Sequence, residues 1–145
     1  MRVPDAIDPA VGYRVWLVEE DRLFSFAHDY IMWQPYMPFE AVCSKDHEVP
    51  DKNCSCGLYA AATFNRLFEM GYTKSYGMFA APEGRITVAG QVKLWGAIIP
   101  ASTGWRAQFA YPQKLLVPYS RWKIARKVAA EYGVPFQLYN LERKH

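Results

Sequence analysis

The sequence predicts an α+β fold: a mainly antiparallel β-sheet, two helices at about residues 58–70 and 120–132, and a long loop that carries cysteine and histidine. Three observations predict it. Apolar residues alternate with polar ones along several stretches rich in β-branched and aromatic side chains, the pattern of half-buried strands. Two other segments space their apolar residues at helical intervals and stop at a glycine. No βαβ period and no internal repeat recurs, which argues against a doubly wound sheet or a solenoid.

The elements follow in chain order. GYRVWLVE (12–19) alternates Tyr13, Val15 and Leu17 against Arg14, Trp16 and Val18; EED at 19–21 interrupts it, and RLFSFAHDYIMW resumes the texture, giving a first hairpin. WQPYMPF (33–39) holds two prolines that remove backbone donors, so it is a loop with aromatic packing. In LYAAATFNRLFEMG, residues Leu58, Ala61, Ala62, Phe64, Leu67 and Phe68 fall near helical spacing and Gly71 ends the run, predicting the first helix. Pro82-Glu83-Gly84 makes a turn into a long strand with Ile86, Val88, Gly90, Val92 and Leu94 on one side, bent or bulged at Gly90 or Gly96. After Ser102-Thr103-Gly104, WRAQFAYP returns with Trp105, Ala107, Phe109 and Tyr111 on one face, completing a central hairpin. Ser120 reads as the N-cap of a second helix with a stripe of Trp122, Ala125, Val128, Ala129 and Tyr132, stopped by Gly133 and Pro135. PFQLY is a last short strand.

A chain of 145 residues suits a single domain over 1–145, and one of this size buries roughly 70% of the surface its unfolded chain exposes, so a metal is not required for folding. With 51% hydrophobic and 21% charged residues the composition is that of a globular protein. The first twelve residues mix two prolines and two aspartates where a secretory signal needs an apolar run, and no segment approaches the roughly 20 apolar residues of a membrane span, so a cytoplasmic protein without a membrane partner is expected. The net charge of +3 is uneven: residues 1–57 carry five basic against ten acidic groups, residues 114–145 seven against two. That asymmetry steers partners without naming one.

All three cysteines and one histidine lie in CSKDHEVPDKNCSCG (43–57). Three cysteines leave one unpaired in any disulfide scheme, and cytosolic thiols stay reduced, which disfavours a bridge. Cys43, His47, Cys54 and Cys56 make a complete Cys3His set whose soft ligands select Zn²⁺ over Mg²⁺ or Ca²⁺. Their spacing, C-x3-H-x6-C-x-C, departs from the usual C-x2-C. The six-residue x6 segment is long enough to fold one pair back on the other, and a sixteen-residue irregular run (38–53) benefits from a staple. The competing readings are small buried thiols with an exposed His47, a redox pair, and a nucleophile on Cys54 or Cys56 with His47 as base. For catalysis the chain offers no completing partner: it has no phosphate-cradling glycine loop, and so no nucleotide cofactor is expected, no G-x-S-x-G and no HExxH. His28 and Asp29, adjacent on a strand, point to opposite faces.

Two surfaces remain for binding. Trp33, Tyr36, Met37 and Phe39 sit in a proline-bound loop that cannot easily bury every ring, which suits a protein partner. Arg121, Lys123, Arg126 and Lys127, with Arg143 and Lys144, form a basic stripe able to contact phosphates, the nucleic-acid alternative; a solvated helix face is the simpler reading and outweighs it.

CSCGLYAA (54–61), GQVKLWGAII (90–99) and GWRAQFAYPQKLLVP (104–118), followed by a helix ending in YGVPF, resemble a family of small uncharacterised proteins of actinobacteria and their bacteriophages. The resemblance covers nearly the whole chain. It implies that Cys43, His47, Cys54 and Cys56 belong to a shared scaffold. Where family members often carry a His/Glu pair before G-[WY]-R-A, this chain has Pro100-Ala101-Ser102. The expectation is a non-catalytic binding protein with a zinc-stapled loop, acting on another protein, and on a host protein if the gene is phage-borne. The alternatives are nucleic-acid binding by the C-terminal helix and a thiol enzyme at the Cys/His cluster.

Overall fold

The computed structural model of the chain describes residues 10–25, 31–43, 47–51, 53–54, 56–69 and 86–139. The α+β class is as the sequence predicts. The elements are β1 (Ala10–Glu19), β2 (Arg22–Phe24), β3 (Phe39–Glu40), β4 (Leu58–Ala61), α1 (Phe64–Glu69), β5 (Ile86–Ala101), β6 (Gly104–Pro118), α2 (Trp122–Tyr132) and β7 (Phe136–Tyr139), with a 3-10 turn, Tyr119–Arg121, before α2.

The long β5–β6 hairpin is the frame. It pairs from Ala101↔Gly104 at the tip to Ala89↔Leu116 at the base, with register shifts at Gln91/Val92 and Trp95/Ile98. The second shift brackets Gly96, whose φ is +79, so the bend falls at one of the two glycines anticipated. β1 runs antiparallel along the other edge of β5. β4 pairs with β6 and, through Tyr13↔Ala61, with β1, so β1, β5, β6 and β4 close into a ring and the sheet curls on itself. Closure demands close strand approach, which small residues supply: a Cβ at Gly104 would collide with the Ala60 carbonyl, and one at Gly12 would lie 2.6 Å from the Ala60 Cβ.

That ring corrects the first helix. Leu58–Ala61 is strand, and helix begins only at Phe64. Helix propensity is a weak preference, and a ladder of four residue pairs to β6 overrides it. Met70, the Gly71 stop and the Pro82-Glu83-Gly84 turn lie outside the described residues. The irregular run 38–53 is also interrupted, by β3 pairing with Ala110 and Phe109.

Alternation along β5 places Val88, Val92 and Leu94 in the main core with Trp16, Leu23, Trp33, Leu115 and Val117. Each fully buried aliphatic side chain contributes about 1.5–3 kcal/mol. On β6 the expected face fails: Ala107 is buried, but so is Ala110, while Phe109 is half-buried. Ala107 and Ala110 stand three apart and both pack into the main core, so strict alternation does not hold there.

Helix α2 lies against β6, β7 and β2, burying Ala125, Val128, Ala129 and Tyr132 at the spacing of one helix face. Trp122, assigned to that stripe from spacing, is 42% exposed. Ser120 sits in the 3-10 turn and the N-cap position falls to Arg121, with no side-chain cap bond. Gly133 ends the helix in the left-handed conformation, φ 67, and the Val134 amide donates back to Ala129. The crossover then returns the chain to lay β7 parallel to β6, a pairing that requires such a connection.

Candidate metal centre

The loop after β3 runs from Ala41 to Gly57 between the outer edge of β6 and the start of β4. Its fold is held locally. Asp51 accepts the Asn53 amide on Oδ1 at 2.8 Å and the Cys54 amide on its carbonyl at 3.0 Å, turning the chain so that Cys54 faces back toward Cys43. Arg106 on β6 reaches across: its Nη1 donates to the carbonyls of Cys54 and of Cys56, the latter at 2.8 Å. A single guanidinium thus pins both ends of the C-x-C turn to the sheet.

The result brings the four predicted ligands together. Side-chain ligand atoms of Cys43, His47, Cys54 and Cys56 all lie within 4.8 Å of one another. Cys43 Sγ is 3.6 Å from His47 Nε2 and 3.9 Å from Cys54 Sγ. A tetrahedral ion with thiolates at about 2.3 Å and an imidazole at about 2.05 Å has S···S edges of about 3.8 Å and S···N edges of about 3.6 Å. Both distances match the edges of such a polyhedron. All three cysteines are free thiols.

Second contacts orient the ligands. His47 Nδ1 lies 2.6 Å from the Glu48 carbonyl, which can only accept, so Nδ1 carries a hydrogen and Nε2 is the nitrogen that faces the sulfurs, able to ligate once it gives up its own proton. Asp51 Oδ2 stands 3.8 Å from the same Nδ1. The Glu48 carbonyl, then the Cys54 sulfur, raise the His47 pKa to about 9, with Cys43 and Asp51 adding to the effect. Cys54 is lowered to about 6, first by His47 and then by the backbone N–H of Cys56. Burial pushes the Cys56 thiol up, against a backbone bond from Asp51 that lowers it. The opposite shifts favour a thiolate on Cys54 beside a protonated His47, and a bound cation would displace that proton. The four residues can hold a metal ion.

The other sequence-predicted sites fare differently. Trp33 belongs to the core, 1% exposed: its ring meets Trp16 edge-on at 5.4 Å and Phe39 at 4.6 Å, and its Nε1–H donates to Ser25 Oγ. Trp33 therefore cannot contact a partner, and Phe39 is half-buried beside it. Tyr36 and Met37 are exposed, at 72% and 57%, and Val42, which the sequence reading passed over, is 78% exposed beside Cys43. Burial of the first ring in the motif satisfies the core, and of its large apolar side chains Tyr36 and Met37, between the prolines, remain outside.

Lys123, Arg126 and Lys127 are exposed on α2, whereas Arg121 is half-buried. Arg143, Lys144, His28 and Asp29 lie outside the described residues. An open depression is lined by Glu19, Glu20, Arg22, Phe24 and Met32, and there Arg22 is engaged with Glu131 at 3.0 Å. None of the cluster's residues lines it. Among the described residues no helix is long and apolar enough to cross a membrane. In comparisons with known proteins, no protein-family model matches the chain, and neither curated proteins nor solved structures yield a match.

Proposed function

We propose that the chain is a non-catalytic binding protein whose Cys43, His47, Cys54 and Cys56 hold a structural zinc ion. The supporting observation is the pair of tetrahedral edge lengths, together with a histidine whose Nδ1–H bond to the Glu48 carbonyl aims Nε2 at the sulfurs. Three thiolates and one imidazole are zinc's structural ligands, and a closed set of four leaves no position for substrate. The ion would join the two ends of the 43–56 segment, while Arg106 anchors that segment to β6.

The stapled loop and the neighbouring turn present Tyr36, Met37 and Val42 outward. Tyr36 holds φ 62 and donates its amide to the Tyr111 hydroxyl at 2.6 Å. A non-glycine residue in the left-handed region costs about 1–2 kcal/mol, and Tyr36 holds that conformation with its ring 72% exposed. Tyrosine and methionine are enriched in protein interfaces, which supports a protein as the partner; the resemblance to actinobacteriophage proteins makes a host protein the class to seek.

Chelator titration followed by circular dichroism and affinity capture tests this reading. Zinc removal should disorder the 43–56 segment, and a partner captured by the native protein should be lost both on chelation and in a Tyr36→Ser/Met37→Ser variant. Capture that survives both changes would refute the proposed surface. Native protein whose thiols react freely before any chelator is added would favour thiol chemistry at Cys54 instead.

A further inference from the structure

Helix α2 spends its apolar residues on the core and leaves outside a face that the zinc-stapled loop does not use. Tyr119 is 59% exposed and Trp122 42% exposed, three residues apart, in a fold where, among the described residues, Tyr36 is the one other exposed ring. Lys123 Nζ lies 5.8 Å and the Arg126 guanidinium 5.4 Å from the Trp122 ring centroid, and Lys127 follows on the same exposed side. The only acidic residue of the helix, Glu131, is engaged by Arg22 at 3.0 Å. The face is therefore cationic and aromatic, with no acid of its own to neutralise it.

We infer that this face binds single-stranded nucleic acid. Three cations with no acidic partner among the described residues complement a polyanion, and an exposed indole with a phenol beside it supplies stacking surface that a phosphate backbone alone would not reward. Cation–π contacts hold Lys123 and Arg126 against the ring, so charge and stacking surface are presented together. Duplex DNA hides its base faces inside the stack. An anionic bilayer rewards an amphipathic helix by burying its apolar side, and here Ala125, Val128, Ala129 and Tyr132 are already committed to the core.

Fluorescence anisotropy of the full chain with labelled oligothymidylate of about ten nucleotides tests the inference. Three phosphate contacts on a single strand give a log–log salt slope of about −2, so affinity should fall about 20-fold between about 50 and about 200 mM salt. Trp122→Ala should weaken binding about tenfold, and Lys123→Gln/Arg126→Gln/Lys127→Gln should remove the salt dependence. All four side chains are solvent-exposed, so circular dichroism should show both variants folded. No binding at about 50 mM salt, equal binding by the folded triple variant, stronger binding to duplex of the same length, equal competition by polyglutamate, or equal binding to phosphatidylglycerol vesicles would each overturn it.

Discussion

Tyr132→Phe removes one oxygen from the middle of the structure, and the geometry fixes what that should cost. The Tyr132 hydroxyl donates to the Trp33 carbonyl at 2.6 Å and accepts the Leu23 amide at 2.7 Å, with the side chain 1% exposed. One atom thereby ties α2 to β2 and to the start of the aromatic loop. Burial drives its pKa up to about 12, so the group stays neutral throughout the ordinary pH range. Phenylalanine leaves the cavity filled but strands a donor and an acceptor where water cannot reach. Each unsatisfied buried group costs about 1–3 kcal/mol, so the substitution should destabilise by about 2–6 kcal/mol. For a chain of this length that is a fall of about 6–20 °C in Tm. Urea unfolding followed by tryptophan fluorescence reads it, with Trp16 and Trp33 in the core as reporters. Tyr111→Phe is the control: its hydroxyl also makes two bonds, to the Tyr36 amide and the Tyr132 carbonyl, but it is half-buried and water can substitute. It should cost about 1 kcal/mol. If Tyr132→Phe costs no more than Tyr111→Phe, the reading of α2's attachment is wrong.

Other predictions follow from single features. Glu20 and Asp21 form the two-residue turn of the β1–β2 hairpin with φ 52 and 64, so Glu20→Asn/Asp21→Gly should stabilise by about 1 kcal/mol in the same assay, an unchanged midpoint counting against the turn assignment. Gly133→Ala would place a Cβ 2.5 Å from the Tyr36 hydroxyl in a left-handed residue; it should lower stability by at least about 1 kcal/mol, and more than Ala130→Gly on the exposed side of the same helix. Arg106→Met should speed zinc extraction by a chelator while leaving the far-ultraviolet spectrum intact, because it frees the Cys54 and Cys56 carbonyls without touching the hairpin; extraction at the native rate would remove Arg106 from the account. Metal binding must displace protons from thiols and from His47, whose pKa in the metal-free cluster is raised to about 9, so affinity should climb with pH from about 6 to about 9, with protons released on loading; a flat profile would refute ligation by His47.

The parts of the fold legible in the sequence are those where one period dominates. Ile86 to Leu94 alternates cleanly and is a strand; Ala125, Val128, Ala129 and Tyr132 fall on one helix face and are buried there. Leu58 to Ala61 misled because small apolar residues satisfy both periods. The deciding information lay elsewhere in the chain, in Gly12 and Gly104, which leave room for Ala60 between two strands. Spacing alone assigns Trp122 inward, but as the first residue of the helix it falls at the margin of the buried arc and is 42% exposed. The parallel register of β7 depends on where α2 docks, and no local pattern encodes that.

For the cluster, residue types identified all four members, since three thiols and an imidazole within fourteen residues are a ligand inventory before they are a structure. Their anchor was invisible: Arg106 is distant in sequence and stands in an ordinary alternating strand. The loop's geometry converts an inventory into a coordination set through contacts whose positions depend on β6 and on the Asp51 turn.

The account stands most directly on the metal content of the native purified protein, measured by elemental analysis beside a Cys54→Ser variant. It predicts about one zinc per native chain, bound by a closed set of four ligands, and a large loss in the variant. A native protein that is fully folded and carries no metal, or a variant that retains zinc undiminished, would contradict it.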